Sequence, residues 1–235
     1  MDLPIYVTTE RADREVAEIA DLAFKVLENV GDVRIPREYK GAGPWGQGHF
    51  SSTQWYIQQA LDRRRNQVDL GRLWELYNEE PWQETPHHEL VLLETDLFRE
   101  GFNFLYGETQ MKVTHHGHII ADSRFGNRFP VKGSIQSANR MRRYGSNFAS
   151  AFFTIILHEL GHFYGLADAQ NPHLSSGHDG LLGGHCDDRR CIMEQVNVPG
   201  KLDLREKADL ILRTNPHWFC DADYEALRRN LRKLY

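Results

Sequence analysis

The chain has 235 residues, 40% hydrophobic and 26% charged, enough for one well-buried core in one or two domains. A formal net charge of −5, from 28 basic and 33 acidic residues, argues against a general binder of nucleic acid or of anionic membranes. The longest apolar run, residues 151–157, is far too short to span a bilayer, and the first residues lack a signal-like pattern, so a cytoplasmic location is expected.

Taken in order, Ile5-Tyr6-Val7 reads as a short opening strand. Over residues 12–30, Val16, Ile19, Ala20, Ala23, Val26, Leu27 and Val30 recur with helical spacing, and Gly31 ends that helix. Val33-Arg34-Ile35 is expected to form a second strand, stopped by Pro36. Strand, helix, strand is the opening of a layered α/β or α+β fold. The glycine-rich stretch 41–48 is a break. Ser51 and Ser52 are candidate caps for a helix running to about residue 65, with Arg63-Arg64-Arg65 as a solvated run near its C-terminus.

Another helix is expected over 70–77. Leu90-Val91-Leu92-Leu93 is continuously apolar, as in a central strand covered on both faces. Further strands are expected over 102–106, closed by Gly107, and over 117–121. His115, His116 and His118 have no partner motif and are left out as ligands. Arg140, Arg142 and Arg143, with Lys132, form a basic patch read as solvated. Ser146 or Asn147 can cap a helix over the apolar run that follows, and two more helices are expected over 203–213 and 221–234.

The stretch His158-Glu159-Leu160-Gly161-His162 carries the chemistry. Histidines four apart project from one helix face and can grip a single Zn²⁺ through two imidazole nitrogens. Glu159 is displaced around the helix from that ligand face and is placed to act as a general base on water. Gly165 allows the backbone to turn after the helix. Catalytic zinc takes three protein ligands and keeps one position for water. The third ligand is open between Asp168 and His185, with His173 and His178 as weaker rivals. Three cysteines, an odd number, do not make a closed disulfide framework; all lie in the last fifty residues among histidines and aspartates, which favours metal thiolates.

His158, Glu159, His162 and Gly165, then His185-Cys186, four residues, Cys191, Ile192 and Met193 resemble the archaemetzincins. That zinc peptidase family has the signature HExxHxxGxxHC, four residues, C, any residue, M, and later CxxC. Thr95-Asp96-Leu97-Phe98, the segment from Asn103 to Glu108, and Ser123-Arg124-Phe125 also resemble its strand segments. Two departures stand out. About seventeen residues, within 168–184, separate the glycine from the family's histidine, and the CxxC appears here as Cys220-Asp221-Ala222-Asp223.

The resemblance implies an α+β metzincin-type catalytic domain with a mixed twisted sheet, an active-site helix and a zinc-stapled C-terminal part. On that basis residues 1–235 form one metallopeptidase domain, with an upper part to about 165 and a lower part from about 166. It implies a catalytic zinc on His158, His162 and His185, with Glu159 as general base. It also implies a structural zinc on Cys186, Cys191 and Cys220, with Asp223, or else Asp221, in the fourth slot. Met193 would form the methionine turn beneath the catalytic zinc. The expected partner is a peptide or protein substrate. The rival expectation is a non-catalytic zinc-stapled module that binds a peptide.

Overall fold

The computed structural model describes residues 3–11, 14–42, 52–80, 86–112, 121–122, 129–166, 174–175, 185–196 and 202–235. Asp168, His173, His178, the three histidines at 115, 116 and 118, and Ser123-Arg124-Phe125 fall outside these residues, as does most of the 41–48 break. The chain divides into two compact units, one of Met1–Glu18 and Ile35–Arg142, the other of Ile19–Arg34 and Arg143–Tyr235.

Among its described residues the first unit holds two main sheets and one two-stranded pair, Ala121–Asp122 with Phe129–Pro130. The larger has the order β2-β1-β5-β11-β8, built from β1 (Ile5–Thr9), β2 (Arg37–Gly41), β5 (His88–Leu93), β8 (Gly107–Met111) and β11 (Lys132–Ser137). The first four run parallel and β8 closes the edge antiparallel, so the sheet is mixed as expected. Central β5 is buried at every position, which is why its sequence is apolar without alternation.

The smaller sheet orders β3 (Leu61–Asp62), β4 (Gln67–Asp69), β6 (Leu97–Arg99) and β7 (Phe102–Leu105) as β3-β4-β6-β7. Helices α2 (Thr53–Ala60) and α3 (Leu70–Asn78) join Val91 and Leu93 of β5 and Ile135 of β11 in one apolar cluster. A Cβ at Gly133 would lie 2.7 Å from the Trp74 ring, so β11 admits that indole only because it lacks a side chain there.

Three local expectations are corrected. The second strand lies after Pro36, not before it. Asp32 takes a left-handed φ of 53° and Val33 donates its N–H to the Glu28 carbonyl, so the chain is still leaving the helix there. The α2 helix ends at Ala60 instead of about 65. Asp62 accepts the N–H groups of Arg64 and Arg65, and Asn66 adopts φ 54°, which makes the arginine run the turn of the β3–β4 hairpin. The supposedly solvated arginines are partly committed: Arg140 makes two bonds to Asp96, and Arg142 reaches Glu94 and Glu15.

Among the described residues the α-helices of the second unit are the larger part of α1 (Arg14–Gly31), then α4 (Phe148–Phe163), α5 (Leu204–Thr214) and α6 (Asp221–Leu234). Gly31 is where α1 meets α6; a Cβ would lie 2.9 Å from the Leu231 Cβ, and Arg232 donates to the Gly31 carbonyl. Helix α5 opens with a reciprocal capping box between Asp203 and Glu206. Helix α4 buries most of its length, with Ala149 exposed and Ser150, Phe153, Glu159 and His162 half-buried. Asn147 occupies its N-cap position but makes no side-chain cap bond; instead a 3-10 helix over Asn139–Asn147, broken at Gly145, leads directly into it. Two-residue strands β9 (Ala121–Asp122) and β10 (Phe129–Pro130) pair antiparallel, as do β12 (Leu174–Ser175) and β13 (His185–Cys186). Among the described residues no helix is long and apolar enough to cross a membrane.

Candidate metal centre

Helix α4 ends in a Schellman motif. Leu166 donates its N–H to the Gly161 carbonyl, Gly165 donates to His162, and Gly165 has φ 88°. Gly165 therefore does what its place in the sequence suggested. Asn230 of α6 donates to the Tyr164 carbonyl at 2.7 Å and secures the turn. One helical turn back, His158 and His162 point the same way, with their Nε2 atoms 3.1 Å apart.

The partner for this pair comes from β13. The His185 ring lies 5.4 Å from each of the other two rings, centroid to centroid. One nitrogen from each of the three can be chosen so that all lie within 4.8 Å of one another. His158 is buried, and its Nδ1–H donates to the Ile192 carbonyl at 2.8 Å, which fixes the tautomer and leaves Nε2 with a lone pair. Burial, then the charge of His185, lowers its pKa to about 3, so the imidazole is neutral and free to bind a cation. Glu159, next to His158 on the helix, is half-buried.

The second group lies one residue away. Successive side chains of a strand point to opposite faces, so His185 joins the imidazoles while Cys186 joins Cys191, Cys220 and Asp223. These four also bring one ligand atom each to within 4.8 Å of one another. Asp223 is fully buried one turn into α6, whereas Asp221 is exposed. The three cysteines are free thiols, and Cys186 and Cys220 are 3.7 Å apart at sulfur. A Zn–S bond of about 2.3 Å gives a tetrahedral edge of about 3.8 Å, so this spacing suits a bound zinc and is too long for a disulfide.

Crowding these acids together spreads their affinities for protons. A hydrogen bond from Cys191 favours the Cys186 thiolate, but the contact with Cys220 and burial outweigh it and push the thiol up to about 12. Cys191 is raised, by its bonds with Cys186 and Cys220 and by burial. The partly exposed Cys220 is lowered, because both neighbours donate to its sulfur.

Met193 ties the two groups together. Its thioether lies against Gly161, in the middle of α4, where any Cβ would overlap the sulfur and come within 3.1 Å of the methyl carbon. The Met193 carbonyl accepts from the Cys186 N–H, and the Ile192 N–H donates to Trp218 two residues before Cys220. Sequence reasoning missed Gly161 as a packing site. The available signal was a glycine inside a helix, which costs about 1 kcal/mol relative to alanine and needs a reason.

No family model matches the chain, and no curated protein matches it at a significant level. Solved structures do. An archaemetzincin from Methanopyrus kandleri aligns over 98% of this chain and 96% of its own, with a TM-score of 0.58 and 18% identity. This is the archaemetzincin fold. A zinc-dependent peptidase from Methanocorpusculum labreanum shares that fold over 95% of this chain and 99% of its own, with a TM-score of 0.53 and 18% identity. An archaemetzincin from Archaeoglobus fulgidus, complexed with malonate, covers the same shares with a TM-score of 0.51 and 14% identity. The α+β expectation and the resemblance both hold at the level of the archaemetzincin fold.

Proposed function

We propose that the chain is a zinc-dependent peptidase. His158, His162 and His185 would hold a catalytic zinc, and Glu159 is the general base. The observation that carries this reading is the convergence of three imidazoles at one helix end with a carboxylate beside them. Bound there, zinc would supply a Lewis acid and would bring the pKa of a bound water down to about 7. With zinc in place, Glu159 would serve as the base that takes a proton from the attacking water and hands it to the leaving amine. Ile192 holds the His158 ring in the tautomer that presents Nε2. Cys186, Cys191, Cys220 and Asp223 would hold a second, structural zinc, and Met193 forms the methionine turn under the first.

The three thiols stay reduced in an intracellular setting, which goes with this assignment. Residues 1–235 then act as a single metallopeptidase domain on peptide or protein substrates. The neighbours' description as a zinc-dependent peptidase and as archaemetzincins supports the reading through the shared fold. The test is zinc content and hydrolysis of a peptide library by the wild type and by Glu159→Gln. Two zincs per chain with turnover, and two zincs with turnover reduced about 10²-fold or more in the variant, is the expected result. Two zincs with tight peptide retention and no turnover in the wild type would favour a binding module. Unchanged hydrolysis by Glu159→Gln would refute the mechanism.

A further inference from the structure

Lys207 of α5 and Glu194 are both completely buried, with Nζ and Oε2 2.8 Å apart. Two charges removed from water recover little more than their desolvation cost, and apolar residues of the same volume commonly serve stability as well. The pair therefore calls for a reason other than stability. Lys207 Nζ also donates to the Arg189 carbonyl at 2.7 Å. Arg189 and Glu194 flank the run Cys191-Ile192-Met193, so one ammonium grips that run at both ends.

What lies between those two grips matters to both centres. Cys191 belongs to the thiol group, the Ile192 carbonyl holds His158, and the Met193 thioether sits against Gly161. The Met193 carbonyl in turn fixes the N–H of Cys186, the residue after His185. We propose that Lys207 and Glu194 are a positioning pair that clamps residues 189–194 and thereby sets the geometry of the three imidazoles. The inference rests on reading the histidine group as a zinc site. A flexible clamp would not serve, since an imidazole displaced by a fraction of an ångström weakens a tetrahedral site.

The experiment replaces the pair with apolar residues, Lys207→Met together with Glu194→Leu, so that no buried charge is left alone. Zinc affinity at each centre is measured by chelator competition, and cobalt replaces zinc to report geometry through its visible bands and its thiolate charge-transfer bands. The expected outcome is a cooperative thermal transition no lower than that of the wild type, with the thiolate bands retained. The histidine centre then binds zinc about 10- to 100-fold more weakly. Its cobalt d–d bands shift, and kcat falls more than KM rises.

Wild-type affinity and an unchanged cobalt spectrum at the histidine centre would overturn the proposal. Loss of the cooperative transition would do so too, because the pair would then hold the fold and not the segment. A wild-type chain that takes up no metal through its histidines would overturn the zinc reading itself, an outcome seen before any variant is made.

Discussion

Gly161→Ala separates helix propensity from packing at the heart of the site. In a free helix the change gains about 1 kcal/mol, because alanine is the better helix former. Here the new Cβ would overlap the Met193 sulfur and approach the Leu166 Cδ1 to 3.3 Å. Overpacking of this kind costs about 1–3 kcal/mol. Met193 and Leu166 are both fully buried, so the thioether can move off the new Cβ only by displacing packed neighbours. The upper half of that range applies, which leaves a net loss of about 1–2 kcal/mol. For a chain of this size the melting temperature falls by about 2–4 °C per kcal/mol. Urea unfolding of the metal-free protein measures the change, and Met193→Ala in the same background measures the coupling. A variant more stable than the wild type by about 1 kcal/mol would refute the packing argument, since only the propensity gain would then be visible.

Two further outcomes follow from the histidine and cysteine groups. The buried His158 imidazole titrates at about 3 in the fold but near 6.5 when exposed, so below pH 6.5 the unfolded chain binds a proton that the folded chain does not. Stability of the metal-free protein therefore falls as pH drops from about 6.5 towards 3, by about 1.4 kcal/mol per unit from this residue alone. Urea midpoints at pH 7 and 5.5 check the slope, and a His158→Gln variant with the same slope would contradict it. For the second group, Asp223→Ala is expected to lower zinc content from two towards one per chain, while Asp223→Cys keeps two; metal analysis of the purified variants decides, and full loading of the alanine variant would remove Asp223 from the ligand set.

Much of the fold was legible because its signals are local. The helical stripe that became α1, the unbroken apolar run of β5 and the extents of α5 and α6 each depend on a few neighbouring residues. Strand β11 was missed because Lys132-Gly133-Ser134-Ile135-Gln136-Ser137 has neither the β-branched content nor the alternation of a strand; it is held by β5 on one side and β8 on the other. The arginine run was misplaced because a turn that starts at Asp62 and ends at Asn66 resembles, residue by residue, the last turn of a helix.

The candidate site divides along the same line. The His158–His162 pair and Gly165 could be read from spacing within one helix. That His185 belongs with them depends on tertiary placement, and the resemblance supplied it where spacing had left Asp168 open. The carbonyl of Ile192, the hollow at Gly161 and the Lys207–Glu194 clamp involve backbone groups or contacts between distant segments, which leave no periodic trace in the chain.

The two-residue strand β13 has a bearing on how such a chain can change length. Extra residues between Gly165 and His185 add little to the entropy of bringing the ends together, about 0.6 kcal/mol for each doubling of the connection. One residue inserted between His185 and Cys186 would instead rotate an imidazole or a thiol to the wrong side of the strand. Growth is thus cheap ahead of that dipeptide and forbidden inside it, so distance along the sequence is a poor guide to the third imidazole of the cluster, whereas its immediate neighbour is a good one.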